Sequence, residues 1–108
     1  MTERIVCVLA IQVGVLLIKL RLPEAASLKD KRQVVKSVIA RIHNNFQVAA
    51  AEVGDNDLWQ LATIGVSTIG NDSRKINEVL SGIMDFVNDT RFDAEVMDYR
   101  VEIFSVSG

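Results

Sequence analysis

Basic side chains recur on one flank of a segment whose apolar spacing predicts a helix. Lys29, Arg32 and Lys36 stand three and four residues apart, so they occupy neighbouring positions on a helix surface. Such a stripe can contact successive phosphates and release their counterions. We predict that these residues bind nucleic acid, and that Lys19 and Arg21 add charge from the preceding strand. The alternative interpretation is an ordinary solvated helix flank.

Three acidic residues, Glu52, Asp55 and Asp57, surround a predicted turn. Neighbouring carboxylates can exchange protons with a substrate or hold Mg²⁺, but Asp also favours turns for backbone reasons alone. The residues therefore form a possible acidic site or a structural one. Glu52 lies in a short apolar segment, which makes it a candidate for an ion pair with Lys31 or Arg32. Lys31 falls on the apolar helix face, and we expect its ammonium group to reach solvent.

The side chains that most other catalytic and metal sites require are scarce. The chain has one Cys and one His, and it shows no metal-ligand spacing, phosphate-binding glycine loop or G-x-S-x-G elbow. We therefore expect a non-enzymatic protein, with no catalytic residue, no cofactor and no metal. No small-molecule substrate is identified.

Composition indicates one globular domain. The chain has 108 residues, of which 49% are hydrophobic and 24% are charged, and both values are ordinary for a single domain. One cysteine cannot form an internal disulfide, which excludes a disulfide-rich secreted scaffold. The apolar run over residues 5–18 is shorter than the roughly 20 residues of a membrane-spanning helix. We expect a cytoplasmic protein without membrane contact.

The net charge of −2 conceals an uneven distribution. Residues 1–50 contain eight Lys or Arg and three Asp or Glu, while residues 51–108 contain four and eleven. This asymmetry indicates a basic surface for an anionic partner, unless folding interleaves the two halves.

Periodicity predicts the order strand, helix, strand, strand, helix, strand. Ser27 and Asp30 form a capping-box pattern at the first helix, and Asp72 is a candidate N-cap for the second. The first strand is so long that it must either bend, with Gly14 as the candidate position, or project its first residues beyond the sheet, and its apolar start suggests self-association. A split βαβ arrangement satisfies this order. The predicted strands cover residues 5–22, 48–53, 59–69 and 94–106.

Three stretches together resemble one family of small bacterial proteins. The stretches are V-G-V-L at 13–16 leading to S-L-K-D-K-R at 27–32, A-E-V-G at 51–54 followed by Asp57, Trp59 and Ala62, and then Gly65-Val66 and Asn71-Asp72. This pattern resembles the YlxP family, which has no assigned function, over about residues 13–106. We accordingly divide the chain into an apolar N-terminal extension over residues 1–12, which continues into the first strand, and one domain over 13–108.

The resemblance implies an α+β, ferredoxin-like βαββαβ sandwich, with a four-stranded antiparallel sheet and two helices on one face. Members of the family tend to be encoded beside transcription-elongation, translation-initiation and ribosome-maturation factors, which implies a role near RNA. No ribonucleoprotein signature occurs, so we expect contacts with phosphates rather than base stacking.

These observations favour a binding module that contacts rRNA or a ribosomal particle through its first helix. The alternative is a homodimeric protein-interaction module joined through the first strand or the open sheet face, with Trp59 as a core or interface anchor. A remote alternative is a small acid-dependent enzyme that uses Glu52 and Asp57.

Overall fold

The computed structural model describes residues 10–90 and 92–106. Within them, four strands form one antiparallel sheet in the order β2-β3-β1-β4, and each helix links two strands that have a third between them. This is the ferredoxin-like βαββαβ arrangement, so the predicted fold is confirmed. The elements are β1 (Ile11–Arg21), α1 (Leu28–Asn45), β2 (Ala49–Gly54), β3 (Leu61–Gly70), α2 (Ser73–Asp89) and β4 (Glu95–Val106).

The core lies between one face of the sheet and both helices. Alternate residues of β1 are fully or almost fully buried, as the period of two in a strand requires. Their neighbours on β3 alternate in the same way, and the apolar stripe of each helix packs against this face. The buried residues include Leu16, Ile18 and Leu20 of β1, Ile64 and Val66 of β3, Val38 and Ile42 of α1, and Leu80 and Ile83 of α2.

Polar side chains fix where each helix begins. The Asp30 N–H donates to the Ser27 hydroxyl over 3.1 Å, and the Asp30 carboxylate accepts from the Ala26 N–H over 3.0 Å. The predicted capping role of these residues therefore holds, with the carboxylate reaching one residue further back than in the usual capping box. Asp72 caps α2 by accepting from the Arg74 N–H.

Gly14 allows α2 to approach β1 closely, and the strand pairing is regular at this position. Pairing with β3 and β4 continues on both sides of Gly14. A Cβ atom at this position would collide with the Ile76 side chain of α2. Close packing against α2 therefore accounts for the glycine. The alternative, that the first residues project beyond the sheet, concerns residues outside those described.

Strand boundaries differ from the prediction, by one or two residues except at the start of the first strand. Residues 5–9 of the predicted first strand, and most of the proposed N-terminal extension, lie outside the described residues, while Ile11 and Gln12 belong to β1. Strand β3 begins at Leu61 instead of Trp59, because Gln60 ties the loop to the chain after β1. Its side-chain amide donates to the carbonyls of Pro23 and Ala25. Neither helix is long and apolar enough to cross a membrane.

Candidate functional site

The exposed side of α1 carries the residues that the sequence predicts to bind nucleic acid. Lys29, Arg32 and Lys36 are all exposed, and together we call them the α1 basic flank. None of the three lies within 4.0 Å of a carboxylate in the described part of the chain. The flank spans about 10 Å along the helix axis, at a rise of about 1.5 Å per residue. The structure therefore brings these three positive charges together on one surface without neutralising them.

The two predicted cations of β1 lie elsewhere, on the sheet face that the helices leave open. The Lys19 ammonium is 3.4 Å from the Asp55 carboxylate. Arg21 donates to one Glu95 carboxylate oxygen from both Nε and Nη2, over 3.2 and 2.9 Å. We call these four residues the charged end of the sheet. Lys19 and Arg21 therefore differ from the α1 basic flank, because each of them forms an ion pair with an acidic side chain.

Lys31 is fully buried, in contrast to the other cations of α1. Its ammonium group donates to the carbonyls of Asp55 and Leu61, and it lies 2.8 Å from a Glu52 carboxylate oxygen. The expectation that this ammonium reaches solvent is wrong. Two main-chain carbonyls and a carboxylate replace the water that the charge loses on burial.

Glu52 therefore takes part in a structural ion pair with Lys31. The contact is electrostatic, because the buried Glu52 oxygen does not meet hydrogen-bond geometry despite its 2.8 Å distance. This pair joins the first turn of α1 to the end of β2. Sequence reasoning pointed to this pairing as one of two possibilities, on the ground that a carboxylate within an apolar strand needs a partner.

Asp55 adopts the left-handed backbone conformation, with a φ of 61°, which Asp tolerates better than most residues. Its carboxylate accepts a hydrogen bond from the Thr63 hydroxyl over 2.9 Å. That bond, and the nearby charges of Lys19 and Lys31, hold the pKa of Asp55 below its ordinary value of 3.8, although burial opposes the shift.

The third predicted acid, Asp57, is exposed in the β2–β3 loop and does not join the other two. Among the described residues, no group of three or more His, Cys, Asp or Glu side chains could hold a metal ion. The acidic cluster thus separates into two carboxylates with structural contacts and one loop residue.

Trp59 lies at the surface of the same loop, and 53% of its area is exposed. Together with Leu58 and Arg21 it lines a shallow cleft of about 430 Å³. A core role for Trp59 is thereby excluded. A role as an interface anchor stays a prediction.

Sequence reasoning missed the exposure of β4. This strand is exposed at most of its positions, including apolar ones such as Tyr99, Val101 and Phe104. Alternation of apolar residues with Asp98, Arg100 and Glu102 indicated one solvated face. No local pattern showed that the apolar face of this strand would also remain exposed, because that depends on how far the helices extend over the sheet.

Comparison with known proteins identifies the family. A family model described as "Protein of unknown function (DUF503)" matches residues 13–101. The chain belongs to the DUF503 family. This DUF503 chain is also 31% identical over 65 residues to "Uncharacterized protein YlxP" of Bacillus subtilis (strain 168), a match that covers 60% of the chain and 71% of that relative. The resemblance to YlxP is therefore confirmed.

Two solved structures have a related shape. A de novo designed protein with a ferredoxin fold, solved by NMR, aligns with a TM-score of 0.43 at 12% identity, covering 93% of the DUF503 chain and 87% of the design. LarC2, the C-terminal domain of a cyclometallase involved in synthesis of the NPN cofactor of lactate racemase, aligns with a TM-score of 0.38 at 11% identity. That match covers 89% of the DUF503 chain and 58% of LarC2. Neither likeness bears on function.

Proposed function

We propose that this DUF503 domain is a cytoplasmic, non-catalytic module that binds structured RNA, such as rRNA in a ribosomal particle. The α1 basic flank contacts the RNA phosphates. The domain acts by positioning or recognition and performs no chemistry on the RNA.

One observation carries this proposal: the cations of the α1 basic flank are exposed and contact no carboxylate among the described residues, whereas those of the charged end of the sheet are paired. An ion pair must be broken before its cation can neutralise a phosphate, so paired side chains contribute less to RNA affinity. The acid within the first turn of α1, Asp30, is itself engaged by the Ala26 N–H in capping the helix. Because Asp30 is engaged in this cap, the positive charges of the α1 basic flank remain available to an anionic partner.

The arrangement supports recognition of phosphates and shape rather than of bases. The flank has no aromatic side chain on which a base could stack, since Phe46 follows the end of α1 and packs edge-on against Phe86. We expect weak sequence preference and strong salt dependence, because each Lys or Arg contact with a phosphate releases a counterion.

A salt-titrated binding assay against a structured rRNA fragment and an unrelated duplex RNA tests the proposal. The variant K29Q/R32Q/K36Q should bind the rRNA fragment more weakly. Its plot of log affinity against log salt should be flatter by about 0.7 to 0.9 for each contact that is lost. Its far-ultraviolet circular dichroism should match the wild type, because the three side chains are exposed.

A charge-matched control separates the flank from net charge. R32Q/K36Q and R74Q/K75Q each remove two exposed positive charges, from α1 and α2 respectively. We expect only the α1 variant to lose most of the salt dependence. Equal losses in the two variants, or unchanged binding by the triple variant, would contradict the proposal.

A further inference from the structure

The outer edge of β4 is the longest unpaired strand edge that the structure describes. The sheet order places β4 at one end, beside β1. The strand runs for 12 residues, and among the strands described here none pairs with its other side. A long, regular edge presents a row of free N–H and C=O groups, which favours the addition of another strand.

The helix layer stops short of this edge. Tyr99 and Val101 lie opposite Ile18 and Leu16 of β1, and those two partners are fully buried. Residues opposite one another in an antiparallel pair share a face of the sheet, so Tyr99 and Val101 belong to the helix-side face. They nevertheless remain 56% and 37% exposed. Apolar surface is thus left open beside the edge.

We propose that β4 pairs with β4 of a second copy of this chain, antiparallel about a two-fold axis through Val101. The two four-stranded sheets then become one continuous sheet. Val101 lies opposite its own symmetry mate, and Tyr99 lies opposite Ile103 of the second copy. Both contacts cover the apolar surface that the helices leave open. A two-fold interface requires such a self-complementary patch.

Charge complementarity is what identifies a second copy as the occupant. Arg100 and Glu102 lie opposite Leu17 and Val15 of β1, and therefore on the open face of the sheet. They flank Val101 symmetrically, and within one chain they form an ion pair over 3.5 Å between side chains that are 70% and 61% exposed. An ion pair this exposed contributes little to stability, so its two members can exchange partners across the two-fold axis. In the proposed register Arg100 faces Glu102 of the second copy, and the two-fold axis repeats the pair. Opposite charges in directly facing positions stabilise an antiparallel pair.

The position of a strand irregularity favours this register over its neighbour. Pairing with β1 is regular from Asp98 to Val106, and it shifts between Lys19 and Leu20, which leaves Met97 without a partner on β1. An axis through Tyr99 would pair Asp98 with Arg100, but it would bring the irregular Met97 into the interface. An axis through Val101 pairs the regular residues 98–104 with one another and moves Met97 to the margin of the interface, opposite Ser105.

Charge reversal tests the register directly, with sedimentation analysis of nuclease-treated, RNA-free protein over a range of concentrations. The wild type should dimerise. R100E creates two Glu–Glu pairs and E102R creates two Arg–Arg pairs, so each should raise the dimer dissociation constant by about tenfold or more. The swapped variant R100E/E102R restores opposite charges and should dimerise again. An equimolar mixture of R100E and E102R should form a heterodimer.

Two control variants test whether a loss of the dimer is specific to the charges of β4. R74E and E24R reverse exposed charges of the same sign away from β4 and should leave the dimer intact. A monomeric wild type, or failure of both the swapped variant and the mixture to restore association, would overturn the proposal. Loss of the dimer in R100E but not in E102R would indicate the axis through Tyr99 and overturn the register. Because RNA is absent, none of these outcomes depends on the proposed RNA binding.

Discussion

The α1 basic flank and the charged end of the sheet contain similar numbers of cations but differ in how those cations are used. On α1, the flanking side chains point to solvent and contact no described carboxylate. At the sheet, Lys19 and Arg21 are each held by an acid from another strand or loop. A count of basic residues therefore does not measure how much positive charge is available to bind a partner. What matters is which cations the fold has already paired.

Lys31 extends the same contrast to a single helix, because it is buried and paired while Lys29 and Arg32 are exposed and contact no carboxylate of residues 10–90 and 92–106. Lys31→Met should destabilise the protein by about 3–5 kcal/mol, since it leaves Glu52 as an unpaired, largely buried carboxylate. Urea unfolding measures the loss. Lys29→Met, at an exposed position of the same helix, should change stability by no more than about 0.5 kcal/mol.

A second substitution sharpens that result. K31M/E52L removes both charges, so part of the lost stability should return. If K31M and K29M proved equally mild, the buried ion pair would contribute nothing and the contrast within α1 would fail.

RNA affinity provides the next largest effect. R32Q/K36Q and K19Q/R21Q each remove two positive charges, from the flank and from the charged end of the sheet. We expect the first to weaken rRNA binding by about tenfold and the second by no more than about twofold to threefold, because the sheet cations are already paired. Filter binding at constant salt measures both. The reverse order would show that pairing does not decide which cations reach the RNA.

Acid unfolding probes the paired acids. The folded-state pKa of Asp55 lies below its ordinary value of 3.8, mainly because of the Thr63 hydrogen bond. A depressed pKa stabilises the fold above the unfolded-state value, and this contribution disappears as pH falls through the lower folded-state value. D55N should therefore be less stable than the wild type near pH 7, and the difference should shrink below about pH 4. Unfolding free energies at several pH values measure this, with the exposed D57N as control.

The smallest effect comes from releasing a cation of the charged end. E95Q removes the carboxylate that holds Arg21, at a cost of less than about 1 kcal/mol in stability for an exposed pair. Freed Arg21 should then raise RNA affinity by about twofold. E78Q makes the same change in net charge on α2 and serves as the control. E95Q should raise RNA affinity more than E78Q does in the same binding assay.

The elements of this fold could be read from local pattern. The alternation at the end of β1, the apolar stripes of the helices, and the caps at Ser27 and Asp72 each depend on residues a few positions apart. Such local patterns can be recognised without knowledge of the rest of the chain. The order of elements then restricted the topology to few choices.

The candidate sites were predicted less completely. Exposure of the α1 basic flank follows from helical periodicity, so the sequence could place Lys29, Arg32 and Lys36 on one surface. The sequence also assigned Lys19 and Arg21 to RNA binding, because no local pattern shows that the Asp55 and Glu95 carboxylates contact those side chains. Contacts across 36 and 74 residues of chain depend on sheet register and loop geometry.

The sequence by itself determined the α+β fold, the helix starts and the stripe of cations on α1, because these follow from the periods of helix and strand. Only the tertiary structure decided that Lys31 would be buried with Glu52, that Trp59 would face solvent, and that β4 would form an open edge. The physical reason is that burial and charge pairing arise from long-range packing. A residue's neighbours in the sequence do not specify which distant residues pack against it in the folded protein.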